Sequence, residues 1–376
     1  MSTLADIGSA HEFERTARAS PGKVMSDSRA AEGTSLRPTM KDVAALAGVA
    51  TKTVSRVMNG EPSVAPELAA RVTAAADKLG YRPSLLASSL RRGDKRTAMI
   101  GMLVEKIANP FWADMIHAVE IQARRRGVQL LISGLDIEED RERDVVTALI
   151  DRGVDGLVVV PCTDDQSYLL AEQRRGTKVV FLDREPNLFA GDVVASDNRE
   201  GGRQAVAHLV THGHRRIAYL GDCAAFYTTR ERLAGYMQAL QDARVEFDPS
   251  LVVEELRTAE SAYQATLELL RDHTSPPTAI FASQLLVAFG AIKALAAAGK
   301  SQQVALVGFD DFPLAEVLSP AVTLMRQDTP TLGRLAAERL FGRLDGDQSP
   351  PSRTFVKPEL VVRGSGEITR LRQARS

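Results

Sequence analysis

From Thr97 onward the sequence alternates short apolar runs with longer amphipathic stretches, and this alternation restricts the possible folds most. "TAMIGMLVE", "VQLLISGL", "VDGLVVVP", "TKVVFLD", "RIAYLG", "TAIFAS" and "VALVGFD" read as strands bounded by turn residues. "PFWADMIHAVEIQARRRG" and "EEDRERDVVTALIDRG" read as helices between them. Runs of Val, Ile and Leu without polar alternation belong to strands buried on both faces, as in parallel sheets covered by helices. The units are too many for one six-stranded sheet, and a loop-rich interruption stands at Asp183–Asn198. Two doubly wound parallel-sheet subdomains are therefore expected. Ligands bind such sheets at the carboxyl ends of the strands. Here those ends carry Glu105, Asp183, Ser283 and Asp310, so the expected cleft is polar.

The segment before Thr97 follows a different pattern. Thr39 precedes "MKDVAAL" with Asp42 three residues on, the spacing of a capping box. Gly48 ends that helix, Thr51 opens a second that closes at Asn59-Gly60, and Pro66 opens a third that stops at Gly80. Val43, Ala44, Ala47, Val49, Val54, Val57, Leu68, Val72, Ala75 and Leu79 suit a small three-helix core. On the second helix Thr51, Lys52, Ser55 and Arg56 fall within about 140° of arc, while Val54 and Val57 point away. A short helix, a glycine turn and a helix with a basic outer face form a helix-turn-helix, whose second helix can enter a major groove. A solvated basic surface helix would look similar on charge alone. The turn and the third helix favour the DNA-binding reading.

Charge supports it. The formal net charge is -1, yet Pro38–Arg96 holds ten basic and five acidic residues, so the remainder is acidic. A basic segment on an acidic body points to a polyanion partner for that segment alone. Residues 1–36 are rich in Ala, Ser, Gly and mixed charge and read as a disordered tail, with Met25 and Met40 as alternative starts. No basic and apolar leader opens the chain, and no apolar run approaches the ~20 residues that span a bilayer. Two cysteines, Cys162 and Cys223, make no disulfide framework and fit a reducing cytosol. The expected location is cytoplasmic, associated with the nucleoid.

Enzyme signatures are weak. "GAIKALAAAGKS" ends like a phosphate loop, but Ala294 stands where glycine is needed, and Gly299 reads better as a helix end. No G-x-G-x-x-G follows a strand and no G-x-S-x-G occurs, so no cofactor is expected. His208, His212 and His214 in "HLVTHGHRR" have zinc-like spacing, but basic residues at a helix end are explained by the helix dipole. Cys162 reads as a buried small residue, and "EEDRERD" as a solvated helix face. Phe111 and Trp112 in "NPFWADM" sit in the turn after the first strand, as lid packing or as a stacking surface for a ring.

The stretch "TMKDVAALAGVATKTVSRVMNGEPSVAPELAARVTAAADKLGYRPSLLASSLRRG" closely resembles the headpiece of the lactose-repressor (LacI/GalR) family. The resemblance continues through "NPFWADMIHAVEIQARRRG", "RGVDGLVVVP", "LDRE", "SDNREGGRQAVAHLVTHGHRRIAYLG", "RERLAGY", "PPTAIFAS", "VALVGFDDFPLAEVLSPAVTLMRQD" and "PELVVRGS", about residues 38 to 368. It implies a homodimeric repressor with a periplasmic-binding-protein-like body. The headpiece covers residues 37–82, a hinge helix and linker 83–96, and the body 97–370. Within the body one subdomain takes about 97–182 and 327–350, the other about 183–326 and 351–370. Thr51, Lys52 and Arg56 match base-reading positions, and Thr39, Ser55 and Asn59 match phosphate-contacting ones. Leu90 matches the leucine that paired hinge helices push into the minor groove, which makes Ser84–Arg92 a segment that folds on DNA.

In the cleft Asp183, Arg232 and Asp310 match effector-holding positions, and Asn109, Phe111 and Trp112 match an aromatic wall. Thr228, Arg257 and Ser283 complete the set. The sequence departs from the family pattern at Ser283-Gln284, where many members carry Asn-Asp and the Asn bonds sugar hydroxyls. Ser and Gln retain hydrogen-bonding capacity toward an effector. The implied mechanism couples a small molecule, a sugar or related metabolite, to affinity for a pseudo-palindromic double-stranded operator. No apolar heptads follow "PELVVRGSGEITRLRQARS", so a dimer is expected. The rival readings are a solute-binding protein of the same body fold and an enzyme on a doubly wound scaffold.

Overall fold

A computed structural model describes residues 38–58, 61, 63–82, 96–135, 141–271 and 275–369. The chain divides into two units, Met1–Ser84 and Leu85–Ser376.

The described part of the first unit holds α1 (Met40–Ala47), α2 (Thr51–Met58) and α3 (Pro66–Leu79). The Asp42 carboxylate accepts both the backbone N–H and the hydroxyl of Thr39 at 2.7 Å, which starts α1 where the sequence places its cap. Gly48 ends α1 with φ 63°, a left-handed conformation that glycine adopts without steric cost, and the chain turns into α2. Val43, Ala44, Ala47, Val54, Val72, Ala75 and Ala76 form the core, with Val49, Val57 and Leu79 packed at its edge. Ala76 is the core residue that the sequence reading lacks. The expected closing cap of α2 at Asn59-Gly60, the tail 1–36 and the hinge segment with Leu90 lie outside the described residues.

The second unit contains two six-stranded sheets. The first is built from β1 (Met99–Val104), β2 (Gln129–Gly134), β3 (Gly156–Val159), β4 (Lys178–Leu182), β5 (Asp192–Ser196) and β11 (Arg353–Val356), in the order β11-β5-β4-β3-β1-β2. The second takes β6 (Ile217–Leu220), β7 (Val252–Val253), β8 (Ala279–Ala282), β9 (Ala305–Phe309), β10 (Thr323–Arg326) and β12 (Glu359–Val361), in the order β12-β10-β9-β8-β6-β7. All pairings are parallel except β10 with β12. The orders are equivalent, so β4 of one sheet corresponds to β9 of the other.

Helices α4 (Pro110–Arg125), α5 (Glu142–Asp151), α6 (Leu169–Arg175) and α11 (Thr329–Leu344) belong with the first sheet. Its core joins Ile100, Met115, Leu157, Phe181, Leu332 and Leu340. Helices α7 (Asn198–Thr211), α8 (Tyr227–Asp242), α9 (Ala259–Arg271) and α10 (Leu285–Ala297) cover the two faces of the second sheet. On α7 and α8 the glycines Gly202 and Gly235 bring backbones together: a Cβ on Gly235 would lie 2.1 Å from Arg199 O. Gly299 follows α10 with φ 65°, the helix-end role expected of it.

The strand order moves the subdomain boundaries. The segment Asp183–Asn198, read as loop-rich, contains β5, which pairs with β4 and keeps the chain in the first sheet as far as Ser196. β11 pairs with β5, so residues 353–356 belong to the first subdomain and not to the second. The three crossings fall between β5 and α7, between β10 and α11, and between β11 and β12. β7 has only two residues, and β5, β10, β11 and β12 read DVVAS, TLMR, RTFV and ELV, without the uninterrupted apolar runs of the recognised strands, so their pattern does not separate them from loop.

Candidate functional site

On α2 the side chains segregate as the helical period requires. Val54 is fully buried, whereas Thr51, Lys52 and Arg56 are exposed and Ser55 is partly so. Arg56 forms an ion pair with Glu61 at 3.6 Å, with both side chains about half exposed. Such a pair stabilises by about 0–1 kcal/mol and yields readily to a phosphate or a base edge. Thr39 is exposed at the start of α1, with its hydroxyl engaged by Asp42. Five of the seven expected DNA contacts thus share one small unit, and the other two, Asn59 and Leu90, lie outside the described residues.

In the body, equivalent strands place two aspartates at the cleft. Asp183 follows β4 with φ 69°, and Asp310 follows β9 with φ 73°. The N–H of Asp183 donates to Val194 O at 2.8 Å and that of Asp310 to Met325 O at 2.9 Å, so the two bends are built alike. A left-handed backbone is tolerated by Asp better than by most residues. Burial pushes the Asp183 carboxyl up to about 6, with Arg184 and Arg232 opposing the shift. Burial likewise raises Asp310, against Arg232 and the Gln327 hydrogen bond.

Around them the cleft has a packed part and an open part. Arg232 lies 3.8 Å over the Phe309 ring and donates to Asn198 Oδ1 at 2.8 Å and Ser283 O at 2.7 Å. Arg184 lies 3.8 Å over Phe226 and pairs with Glu105. Arg257 stands 5.2 Å from the same Phe226 ring and 3.7 Å from Asp222, whose carboxyl burial pushes up to about 6. The open part is a cavity of about 530 Å³ whose lining includes Phe111, Asp114, Asp310, Arg326, Gln327 and Lys357. Of the expected effector residues, only Phe111 and Asp310 line this cavity. Asp183, Arg232, Arg257 and Ser283 belong to the packed part, and Thr228 is buried in the first turn of α8.

Two members of the expected aromatic wall have structural tasks. The Asn109 side chain accepts from Phe111 N–H at 3.1 Å and caps α4, and Trp112 is 2 % exposed within the first core. Ser283 is buried, and its neighbour Gln284 caps α10 by accepting from Leu286 N–H at 2.6 Å and Val287 N–H at 3.2 Å. The departure from Asn-Asp therefore keeps a helix cap and shortens the side chain before it. Arg184, Phe226, Asp222 and Gln327 are functional candidates that sequence reasoning did not single out. Arg184 and Gln327 adjoin residues in quoted motifs, "LDRE" and "MRQD", whereas Phe226 carries no local signal.

The histidine cluster serves the fold. His208 bonds Glu367, and His214 Nε2 donates to Ile368 O at 2.7 Å with Thr278 Oγ1 2.9 Å from its Nδ1. The carboxylate comes from 159 residues away, out of reach of any spacing argument. Cys162 is buried, and its thiol is pushed up by that burial.

Comparison with known proteins places most of the chain. Residues 39–84 match the profile of bacterial regulatory proteins, lacI family, and residues 206–366 that of a periplasmic binding protein-like domain. The HTH-type transcriptional repressor PurR of Aliivibrio fischeri (strain MJ11) is 33% identical over 333 residues, 87% of this chain and 98% of that protein. This chain belongs to the LacI family of transcriptional regulators. The regulator CelR of Thermobifida fusca is 35% identical over 337 residues, 88% of this chain and 98% of the relative. Among solved structures, the Lac repressor dimer bound to operator and the anti-inducer ONPF aligns with a TM-score of 0.76 at 27% identity, covering 88% of this chain and 99% of that one. The CelR–cellobiose complex aligns with a TM-score of 0.65 at 33% identity, covering 88% and 100%. This LacI-family member is a DNA-binding regulator, in a family of regulators rather than enzymes, and its headpiece separates it from solute-binding proteins that share the body fold. Among the described residues no helix is long and apolar enough to cross a membrane.

Proposed function

We propose that this LacI-family regulator acts in the cytoplasm as a homodimeric repressor. Its paired headpieces read a pseudo-palindromic operator, and a small molecule in the body's cleft sets its affinity. The observation that carries the reading is the face of α2, where Thr51, Lys52 and Arg56 stand exposed on a helix whose other side is buried. Lys and Arg on such a face donate to guanine edges in the major groove, with Thr39, Ser55 and Asn59 fixing the register on phosphates. Leu90 is the proposed minor-groove wedge.

Effector control is supported by the cleft's polar residues and by the relatives, one solved with cellobiose and one with ONPF. The proposed contacts are Asp183, Arg232, Asp310, Phe111 and Ser283, with Thr228 and Arg257 behind them. Asn109 and Trp112 act through the support of Phe111. Selection of bound fragments from a random DNA pool, repeated with candidate metabolites, tests both halves. A palindromic consensus whose retention changes with one metabolite is expected; a pool without any consensus would overturn the reading.

A further inference from the structure

The recognition face of α2 carries an acid beside its cations. Glu61 follows the end of the helix, and its backbone N–H donates to Arg56 O at 3.0 Å. With the chain turned back in this way, Glu61 Oε2 stands 3.6 Å from Arg56 Nε. Both side chains are about half exposed, so the pair lies on the solvent side of a helix whose Val54 is buried in the core.

An acid is disfavoured at this place for two reasons. The carbonyl end of a helix carries partial negative charge, and a surface that reads bases is brought close to phosphates. Asp42 and Glu67 sit in the first turns of α1 and α3, where the helix dipole favours them. Glu61 sits at the opposite end of its helix, and what it meets there is Arg56. A guanidinium offers two edges for paired hydrogen bonds: Nε with the Nη beside it, and the two Nη groups together. Guanine O6 and N7 can accept from such a pair. In Arg56 the carboxylate approaches Nε, so the edge left for a base is the one formed by the two Nη groups. Contact with a base therefore does not require the ion pair to break.

We propose that Glu61 is a positioning residue for sequence recognition, its carboxylate taking the Nε edge of Arg56 so that the two Nη groups meet a guanine in the operator half-site. The arrangement narrows what Arg56 can accept. It also lowers general affinity for DNA, because one negative charge is kept beside the phosphates. The inference rests on the base-reading assignment of Arg56 above.

Selection from a random double-stranded DNA pool by full-length wild type, Arg56→Ala, Lys52→Ala and Glu61→Ala tests it, read as base preference at each position of the half-site. Glu61→Ala is expected to lower the preference by roughly fivefold at the position that Arg56→Ala also loses, and to leave the position that Lys52→Ala loses unchanged. Retention of DNA without the consensus is expected to rise by about twofold at low salt. A gain shared equally by all sequences, with every preference intact, would mean that Glu61 acts through its charge alone and overturns the proposal. A loss spread over every position would mean that it only supports the end of α2, and overturns it too. An unchanged profile for Glu61→Ala beside a changed one for Arg56→Ala sinks the proposal and spares the base-reading assignment, whereas an unchanged profile for Arg56→Ala sinks both.

Discussion

The headpiece and the body solve opposite problems. The headpiece folds around seven buried residues, all Val or Ala, drawn from a stretch of a few dozen positions. One of its tertiary hydrogen bonds, Arg71 to Gly48 O, spans 23 residues. The body is stitched by contacts such as Arg339 with Asp192, 147 residues apart, and His208 with Glu367, 159 apart. A small local core has little stability to spare and leaves its recognition face open to solvent. A large non-local one can bury aspartates and arginines at a cleft and tolerate the desolvation. The headpiece exposes its charges, and the body buries and pairs many of its own.

Four variants test that contrast. Lys52→Ala with Arg56→Ala is expected to have the largest effect, costing about 2–6 kcal/mol of operator affinity in sum at fixed salt. It should leave the thermal melt of the body unchanged, and operator retention equal to wild type would show that recognition lies elsewhere. Gly235→Ala places a methyl against backbone, 2.1 Å from Arg199 O and 2.7 Å from Arg203 N. It is expected to destabilise the body by about 2–3 kcal/mol in denaturant titration, without touching exchange protection in α1–α3.

Asp183→Asn probes the hidden charges. Burial holds the Asp183 carboxyl at about 6, above its ordinary value, so between about pH 4 and 6 the folded protein binds this proton more tightly than the unfolded chain. The contribution of Asp183 to stability therefore falls as pH rises through that window and stays low above it. Asparagine cannot ionise, so the variant should be more stable than wild type by about 2–3 kcal/mol at pH 7.5, with the difference vanishing below about pH 3. A pH-independent difference would mean that Asp183 is not held as a desolvated acid. The smallest effect is expected from Thr39→Ala, which removes the hydroxyl half of the α1 cap. A loss of about 1 kcal/mol should appear as roughly fivefold faster exchange confined to the headpiece.

Legibility in the sequence followed the same division. Thr39 with Asp42, Gly48, Pro66 and Gly80 punctuate the headpiece within a few residues of what they cap, so its helices and recognition face were readable directly. Seven apolar strands of the body were readable for a similar reason, since continuous apolar runs are a local signal whatever their length. β5 and β11 were not: four or five residues become strand there only because β4 and then β5 offer an edge to pair with. The subdomain boundaries moved with them.

In the cleft, Asp183 and Asp310 were recognisable as strand-end carboxylates, and "LDRE" already contained Arg184. Its partner Phe226 sits 42 positions later in a different subdomain, and no spacing rule connects them. Asn109, Trp112 and Gln284 carry residue types suited to ligands, and Asn109 and Gln284 cap helices while Trp112 fills the core. By itself the sequence determined the helix-turn-helix, the doubly wound class and the family, because periodicity, capping and motif are encoded within one element or its neighbours. The tertiary structure alone decided which sheet claims each short strand, which polar residues face the cleft, and that Arg184 stacks on Phe226. Those outcomes depend on pairing energies and burial between segments brought together only by folding.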